Sequence, residues 1–202
     1  MKEVEVKYRV PDAAVVESGL KELGLELSQA VRQDDQAYAK RGWSYGMSKI
    51  GVSFARLRTQ DGVHLFTVKR PVDNEQSCIE YECEVSDREA MHNAILTMGF
   101  YPTIRIVKLR RVAVYRDYSI CLDEVEGAGT FFEVESLVPQ SRSAVAVQRE
   151  LEWFVDSLGI GGERTTQTYD SLIREVQSSQ SSRRERQRPE RQGGDILYRA
   201  ES

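Results

Sequence analysis

Hydrophobic and charged residues alternate strictly in the first strand-like segment of the chain. In the string EVEVK, Glu3, Glu5 and Lys7 alternate with Val4 and Val6. Because successive side chains of a β-strand point to opposite faces, this order places two carboxylates and an ammonium on one face and two valines on the other. An edge strand in water can also begin with such a charge mixture. Whether the pattern recurs along the chain therefore decides between a functional charged face and a solvated edge strand.

The alternation recurs in four later segments, each with charged residues two positions apart. The charges are Arg56 and Arg58; Glu80, Glu82 and Glu84; Lys108 and Arg110; and Glu133 and Glu135, with Lys69 and Asp123 as single charges in strand-like runs. Together with the first segment, they place eight acidic and six basic side chains on strand faces. If these faces enclose one space, burying the charges is prohibitively costly unless ions or water fill it. Since carboxylates bind Mg²⁺ or Mn²⁺ and Arg and Lys bind phosphate oxygens, we expect metal ions and a polyanion there.

The segment EVEVK resembles the ExExK motif of the CYTH superfamily, the triphosphate tunnel metalloenzymes. The blocks FARLR, FTVKRP, IEYECEVSD, IVKLRR and LDEVEGAGTFFEVE follow in the family's order, and TYDSL near residue 170 resembles its closing tyrosine segment. These blocks span about residues 1–176. The resemblance implies an α+β fold, a closed eight-stranded antiparallel β-tunnel with a charged lumen and helices packed outside.

The resemblance also implies roles for the lumenal side chains. The metal ligands would be Glu3, Glu5, Glu133 and Glu135, holding two Mg²⁺ or Mn²⁺ ions. The groups that bind the substrate phosphates would be Lys7, Arg56, Arg58, Lys69, Lys108 and Arg110. Catalytic or orienting roles fall to Lys7, Glu80, Glu82, Asp123 and Tyr169. Glu84 lies nearer a strand end and is interpreted as structural.

Three functions are compatible with this charge set. The favoured hypothesis is a class IV-type adenylyl cyclase, which converts ATP to cyclic AMP and pyrophosphate, because LDEVEGAGTFFEVE most resembles the bacterial cyclase form of the motif. In that reaction the ribose 3′-hydroxyl attacks the α-phosphorus, and catalysis rests on positioning and electrostatic stabilisation. The alternatives are a triphosphatase, in which water attacks the terminal phosphorus, and a noncatalytic module that binds triphosphate or polyphosphate. An anion-binding module would not need so many lumenal carboxylates.

Composition indicates one domain followed by a polar tail. The 202 residues are 40% hydrophobic and 30% charged, which is enough apolar material for a single core. The net charge of −4 argues against a protein that coats nucleic acid. The chain has no apolar run long enough to span a membrane, and it begins with a charged strand rather than a signal sequence. We therefore expect a cytoplasmic protein that does not bind membranes.

The composition changes beyond about Gln177. Residues 1–176 are assigned to the tunnel domain, and residues 177–202, which contain SSQSSRRERQRPERQGG, to a disordered Arg-rich tail. Its arginines (Arg183, Arg184, Arg186, Arg188 and Arg191) are interpreted as solvated, with an acidic partner as the alternative. The final segment DILYRAES is more apolar and would allow docking on a neighbouring subunit, which leaves a homodimer open.

Three amphipathic helices are predicted between the strands. They run from an Asp12 cap to Gly24, from a Ser86–Glu89 capping box to Gly99, and through Val147 to Gly159. The odd number of cysteines and the lack of a C-x-x-C pair argue against zinc and disulfides, and Cys83 and Cys121 are expected in the core. The histidines, His64 and His92, are not expected to act in catalysis.

One segment departs from the family pattern. Asp34, Asp35 and Tyr38 are expected to match a D-x-Y-F-type segment of the family, but RGWSYGMSKIG, residues 41–51, matches none of its motifs. In this Arg41–Gly51 insert, Trp43 or Tyr45 would either stack on a base at the tunnel mouth or pack on the barrel. Packing is the favoured interpretation, and the insert leaves the identity of the substrate open.

Overall fold

The computed structural model describes residues 1–186, with side chains described as far as residue 178. The strands of this part of the chain are β1 (Lys2–Val10), β2 (Val31–Lys40), β3 (Phe54–Gln60), β4 (Val63–Pro71), β5 (Ser77–Val85), β6 (Phe100–Tyr115), β7 (Tyr118–Val125), β8 (Gly129–Val138) and β9 (Glu163–Thr165). The helices are α1 (Ala13–Glu22), α2 (Arg88–Thr97), α3 (Ala144–Ser157) and α4 (Tyr169–Arg186). None of the helices in residues 1–186 combines the length and the apolar character needed to cross a membrane.

Eight of the strands close into an antiparallel barrel. Hydrogen-bonded neighbours follow the order β5-β4-β3-β2-β6-β7-β8-β1, and β1 also pairs with β5, which closes the ring. The short strand β9 pairs with the end of β1, from Lys7 to Arg9. This architecture confirms the predicted α+β fold with a closed eight-stranded antiparallel tunnel and helices outside.

The apolar faces of the charged strands point outward, and helices cover them on two sides of the barrel. On one side, α1 and α3 pack on β1, β7 and β8 through the buried residues Val4, Val6, Ile120, Leu122, Phe132, Val134, Val16, Leu20, Val147, Leu151 and Phe154. On another side, Ile95 of α2 packs on Tyr38 and Leu57. Removing such side chains from water contributes roughly 1.5–3 kcal/mol each. The apolar half of the alternation therefore supplies the stability, and the charged half is left to face the lumen.

Side-chain caps fix where the helices begin. Asp12 accepts a hydrogen bond from the amide of Ala14, as predicted for the start of α1. The predicted Ser86–Glu89 capping box is wrong, because the N-cap of α2 is Asp87, whose Oδ1 accepts from the amides of Glu89 and Ala90 at 2.9 Å. A carboxylate at this place also complements the positive end of the helix dipole.

Helix α4 begins at one end of the lumen. Leu172 and Ile173 of α4 pack with Ile106 and Phe131. Ile106 shares a strand face with Lys108, and Phe131 shares one with Glu133, so this apolar cluster lies inside the barrel wall. The first turns of α4 thus cover the end of the lumen at which β1 finishes.

The predicted domain boundary after residue 176 falls inside α4. Residues 177–186, which the composition assigns to a disordered tail, continue the helix to Arg186. A helix already nucleated by packed residues extends at little cost through Gln, Ser, Arg and Glu. The remainder of the predicted tail, including Arg188, Arg191 and DILYRAES, lies outside the described residues.

The outer face of β5 is open to solvent. Tyr81 is 71% exposed and Cys83 is exposed, so the predicted core position of Cys83 is wrong. The reason is that α2 leaves the end of β5 and packs over β2, β3 and β6 instead. Cys121 is buried as expected, but its thiol faces the lumen and donates to Glu135 Oε1 at 3.1 Å.

The contact between α1 and the end of α3 predicts an unusual response to a Gly→Ala change. Alanine normally stabilises a helix interior by about 1 kcal/mol relative to glycine. A Cβ at Gly19, however, would lie 2.8 Å from the backbone oxygen of Leu158 and 3.0 Å from Ile160 Cγ1. We expect Gly19→Ala to lower the free energy of unfolding by about 1–3 kcal/mol, measured by chemical denaturation. Ser18→Ala, on the exposed face of α1, should change it by less than about 0.5 kcal/mol, and a stabilised Gly19→Ala variant would contradict this packing.

Candidate active site

The charged strand faces surround one cavity in the barrel. Its lining includes Glu3, Glu5, Lys7, Arg56, Arg58, Lys69, Lys108, Arg110, Glu133, Glu135 and Tyr169. Glu80, Glu82 and Asp123 contact members of this set through ion pairs. All the side chains that the sequence singled out for metal, phosphate or catalysis therefore meet in or beside a single space. Within that space they divide into separate clusters.

Three carboxylates form the acidic cluster of the lumen. Glu5 pairs with Glu135 across β1 and β8, Glu3 lies two residues from Glu5 on the same face, and oxygen atoms of all three lie within 4.8 Å of one another. Burial and the neighbouring Glu3 raise the pKa of Glu135 to about 7, and burial also raises the pKa of Glu5. Burial acts to raise the pKa of Glu3 as well, but Lys69 outweighs it and the net shift is downward. Because this cluster holds more carboxylate charge than its cations offset, its oxygens fit a divalent ion such as Mg²⁺ or Mn²⁺.

Glu133 stands apart from the acidic cluster. Its carboxylate lies 3.1 Å from Lys7 Nζ and 2.5 Å from Arg110 Nη2, and its side chain is 3% exposed. Burial alone would raise its pKa, but Lys7 and Arg110 outweigh burial and lower the pKa to about 2. Glu133 is thus a fully ionised partner of two cations, and its predicted role as a metal ligand stays a prediction.

Asp123 organises the basic side of the lumen. It is completely buried, and it accepts hydrogen bonds from Lys108 Nζ at 2.7 Å and from Arg110 Nε at 2.7 Å. The Tyr169 hydroxyl donates a further bond at 2.9 Å. Burial acts to raise the pKa of Asp123, but Lys108 and Arg110 hold it far below its usual range. The ionised carboxylate therefore fixes the orientation of both cations.

Tyr169 closes the lumen from the side of α4. Its ring lies 4.2 Å from Lys7 Nζ and 4.9 Å from Lys108 Nζ, and it packs edge-on against Phe131. Burial and the nearby Glu133 raise its pKa well above 10, so the hydroxyl remains protonated and acts as a donor. A single aromatic side chain thus contacts two lumenal cations and the carboxylate that orients one of them.

Arg56 is the lumenal cation with spare hydrogen-bonding capacity. Its Nη2 lies 3.1 Å from Glu82 and 3.4 Å from Glu80, and it donates to Thr67 Oγ1 at 3.1 Å. Its Nε is buried without an acceptor in the described part of the chain. Nearby, Lys69 pairs with Glu3 at 3.0 Å. A buried guanidinium N–H that lacks an acceptor is a ready donor for a phosphate oxygen.

Arg58 makes a different kind of pair, which sequence reasoning did not assign. Its Nε and Nη2 each lie 2.7 Å from an oxygen of Asp35, and both side chains are almost fully buried. The neighbouring Asp34 points outward to Arg105. Because adjacent strand residues face opposite sides, only one of the two aspartates can enter the lumen. The sequence alone could therefore have shown that Asp34 and Asp35 have different environments.

The Arg41–Gly51 insert packs on the barrel, which is the interpretation that the sequence favoured. Trp43 is 6% exposed, contacts Phe54 and Tyr45 edge-on, and donates from Nε1 to the oxygen of Ser48. Together with barrel residues it forms the apolar part of the cavity lining, which we call the apolar compartment. The compartment is lined by Ala37, Ala39, Trp43, Phe54, Pro71 and Ile106. The sequence did not reveal this compartment, because its residues come from five separate segments: four strands, β2, β3, β4 and β6, and a loop without periodicity.

The insert also places a cation that the sequence analysis did not single out. Lys49 is 7% exposed and lines the cavity beside the first turn of α4. The two histidines lie elsewhere, with His64 beside Thr59 and His92 beside the Tyr38 hydroxyl.

Comparison with known proteins gives one family. The family model described as CYTH domain matches residues 1–169. A protein of Methanocaldococcus jannaschii provisionally named adenylate cyclase is 28% identical over 162 residues, which cover 79% of this chain and 91% of the relative. Adenylate cyclase CyaB of Aeromonas hydrophila is 22% identical over 172 residues, 84% of this chain and 87% of the relative.

Solved structures share the fold. A protein of Pyrococcus horikoshii OT3 matches with a TM-score of 0.72 at 25% identity, over 86% of this chain and 98% of its own. An adenylyl cyclase candidate from Hippeastrum, described as having a dominant triphosphatase activity, matches with a TM-score of 0.60 at 20% identity, over 87% of this chain and 96% of its own.

The two arginines of β3 are expected to respond differently to substitution. Arg58→Met leaves the Asp35 carboxylate buried without its partner, and we expect the free energy of unfolding to fall by about 3–5 kcal/mol. Arg56→Met removes the Nε donor that lacks an acceptor, together with the partly exposed Nη2 contacts to Glu80 and Glu82, and we expect calorimetry to show about tenfold weaker binding of inorganic tripolyphosphate. Arg105→Met, on the exposed outer wall, is the control for both measurements. Equal stability of the Arg58→Met variant and the parent would refute the structural role of the pair.

The acidic cluster predicts a pH-dependent metal affinity. Because the pKa of Glu135 is raised to about 7, its proton competes with a cation below that pH and is absent above it. We expect the apparent affinity for Mn²⁺, measured by electron paramagnetic resonance, to rise about tenfold between pH 6 and pH 8. In Glu135→Gln the affinity should be lower and nearly independent of pH over this range. A pH-independent affinity in the parent would contradict the role of Glu135 as a ligand, and the absence of Mn²⁺ binding would show that the cluster binds no cation.

Proposed function

Because the chain belongs to the CYTH domain family, we propose that it is a metal-dependent enzyme acting on a nucleoside triphosphate, and specifically that it converts ATP to cyclic AMP and pyrophosphate. The observation that carries this proposal is the order of groups in the cavity. A carboxylate cluster fit for a divalent ion adjoins a set of lumenal cations, and these adjoin an apolar compartment. A ligand that fills all three carries a metal-chelating polyanion and a flat organic group, which is the chemistry of a nucleoside triphosphate.

The apolar compartment favours a nucleotide over an inorganic triphosphate. Its Ala, Trp, Phe, Pro and Ile side chains offer no free donor to a phosphate, since the Trp43 indole N–H is bonded to Ser48, and polar residues such as Lys49 and Thr103 line other parts of the same cavity. A purine ring would gain from the same walls, through apolar burial and edge contacts with the aromatic groups. The names of the relatives from Methanocaldococcus jannaschii and Aeromonas hydrophila agree with a nucleotide substrate.

The lumenal cations would bind and orient the triphosphate. Arg56 offers its unused Nε, and Lys7, Lys69, Lys108 and Arg110 would exchange contacts with carboxylates for contacts with phosphate oxygens. Glu80, Glu82 and Asp123 would hold these cations in place before the substrate arrives, so that little reorganisation is needed during the reaction. Such pre-organised charge stabilises the negative charge that develops as pyrophosphate leaves the α-phosphorus.

The acidic cluster would hold the metal cofactor. Glu3, Glu5 and Glu135 are the residues proposed to bind it, and Glu133 would join them only by leaving Lys7 or Arg110. When bound, a divalent ion supplies Lewis-acid activation of the attacking hydroxyl and neutralises phosphate charge. The use of two ions, the choice between Mg²⁺ and Mn²⁺, the homodimer and the cytoplasmic location remain predictions.

Hydrolysis of a triphosphate is the second candidate. The same cations would bind the phosphates if water rather than a ribose hydroxyl attacked, and the Hippeastrum protein of this fold is described by its triphosphatase activity. The two reactions differ in which phosphorus is attacked. The identity of the products therefore distinguishes a cyclase from a triphosphatase.

The proposal predicts products that can be resolved directly. With ATP and Mg²⁺ or Mn²⁺, we expect cyclic AMP and pyrophosphate in equal amounts, and no turnover after chelation of the metal. Glu5→Gln should lower turnover by about a hundredfold or more, because a metal ligand is lost, whereas Glu84→Gln, at the exposed end of β5, should be close to the parent. Orthophosphate with ADP would support the triphosphatase instead. Binding of ATP without any turnover would support a noncatalytic module.

A further inference from the structure

A buried lysine of the insert joins three separate segments at the closed end of the cavity. Lys49 Nζ lies 2.5 Å from Thr168 Oγ1, 3.0 Å from Ser171 Oγ and 3.4 Å from both carboxylate oxygens of Asp170. It also lies 3.2 Å from Glu75 Oε2, in the loop between β4 and β5. One ammonium group therefore holds the insert, the β4–β5 loop and the first turn of α4 together.

The insert is built to deliver this lysine across the end of the barrel. Gly42, Gly46 and Gly51 have φ values of +93°, +96° and +77°, which residues other than glycine rarely adopt. Trp43 packs on Phe54 and receives a hydrogen bond from the Tyr101 hydroxyl on its backbone oxygen. The loop is thus anchored at its aromatic start, and Lys49 anchors its far side to α4.

The residues held by Lys49 flank Tyr169 in the sequence. Thr168 precedes it and Asp170 follows it, so the ammonium group fixes the backbone on both sides of the tyrosine. The Tyr169 hydroxyl in turn donates to Asp123, and its ring contacts Lys7 and Lys108. A continuous set of contacts therefore runs from the insert to the cations proposed to bind phosphate.

We propose that Lys49 is a positioning residue for turnover, which holds the first turn of α4 so that Tyr169 orients Asp123 and the neighbouring lysines. This inference rests on the proposed function, since it concerns the same lumenal cations. The partners of the Lys49 ammonium group lie in the β4–β5 loop and the first turn of α4 and none of them is a proposed metal or phosphate ligand, so its contribution is made through the position of Tyr169.

The body of α4 does not depend on this lysine. Leu172 and Ile173 remain packed in the apolar cluster at the end of the lumen. Loss of the ammonium group would instead leave the carboxylates of Glu75 and Asp170 facing each other without the cation between them. The expected damage is a local shift of the turn that carries Tyr169, and shifts of that size are enough to reduce catalysis strongly.

A double-mutant cycle between Lys49 and Tyr169 tests the proposal. Lys49→Met should lower kcat for ATP at least about tenfold while changing KM less. In a Tyr169→Ala background the same substitution should lower kcat less than about twofold, because the group that it positions is already gone. Lys49→Arg retains the charge and should recover most of the lost kcat. Lys40→Met removes an exposed lysine at the end of β2, directly before the insert, and serves as the matched control.

The outcomes are distinguishable from those of the proposed function. Equal losses of kcat in both backgrounds, or a Lys49→Met variant as active as the parent, would overturn the positioning role. If Lys49→Met fails to fold, Thr168→Val removes the nearest acceptor and the same coupling to Tyr169 is expected. If the protein hydrolyses ATP instead of cyclising it, the cycle is measured on hydrolysis. If it shows no turnover, the cycle is measured on the affinity for inorganic tripolyphosphate with Mn²⁺, where independent effects of the two substitutions would overturn the inference.

Discussion

Charge buried inside an apolar shell is the constraint on which the rest of this structure depends. Removing one ionised side chain from water costs several kcal/mol even after relaxation, and the cost is recovered only through good partners. The lumen meets this requirement by pairing. Asp123 lies between Lys108 and Arg110, Glu133 between Lys7 and Arg110, and Asp35 against Arg58.

The pairing also determines what the lumen can bind. Apart from Arg56, whose Nε has no acceptor in the described part of the chain, a lumenal cation that takes a phosphate oxygen must loosen a contact with a carboxylate, and the released carboxylate then needs a cation of its own. A singly charged anion cannot meet both demands. A polyanion that brings its own divalent metal can, because the metal supplies the positive charge that the freed carboxylates require. The acidic cluster of Glu3, Glu5 and Glu135 lies within reach of this exchange, since Glu3 already contacts Lys69.

The sequence predicted the barrel well, because a period of two is visible in every charged strand and its apolar half indicates the outer face. It predicted the pairs less well, because they depend on register between strands that are distant in the chain. Glu133 and Glu135 look equivalent in the sequence, yet the first meets two cations and the second meets other acids. Asp35 was obscured by its neighbour Asp34, and Lys49 lies in a loop with no periodicity. Cys83 was placed wrongly because the alternation shows which residues face outward but not whether a helix covers them.

The bare outer face of β5 gives the protein a selective chemical handle. Burial raises the pKa of Cys78 to about 12 and raises the pKa of Cys121 well above its usual value, so neither thiol forms a thiolate readily at neutral pH. Cys83 is exposed on the opposite side of the wall from the lumenal Glu82. An alkylating fluorophore should therefore attach at Cys83 alone among the three cysteines of the chain. Such a probe would lie on the strand that carries Glu80 and Glu82, on the opposite side of the wall from the cavity, so a label can be attached without occupying the proposed site.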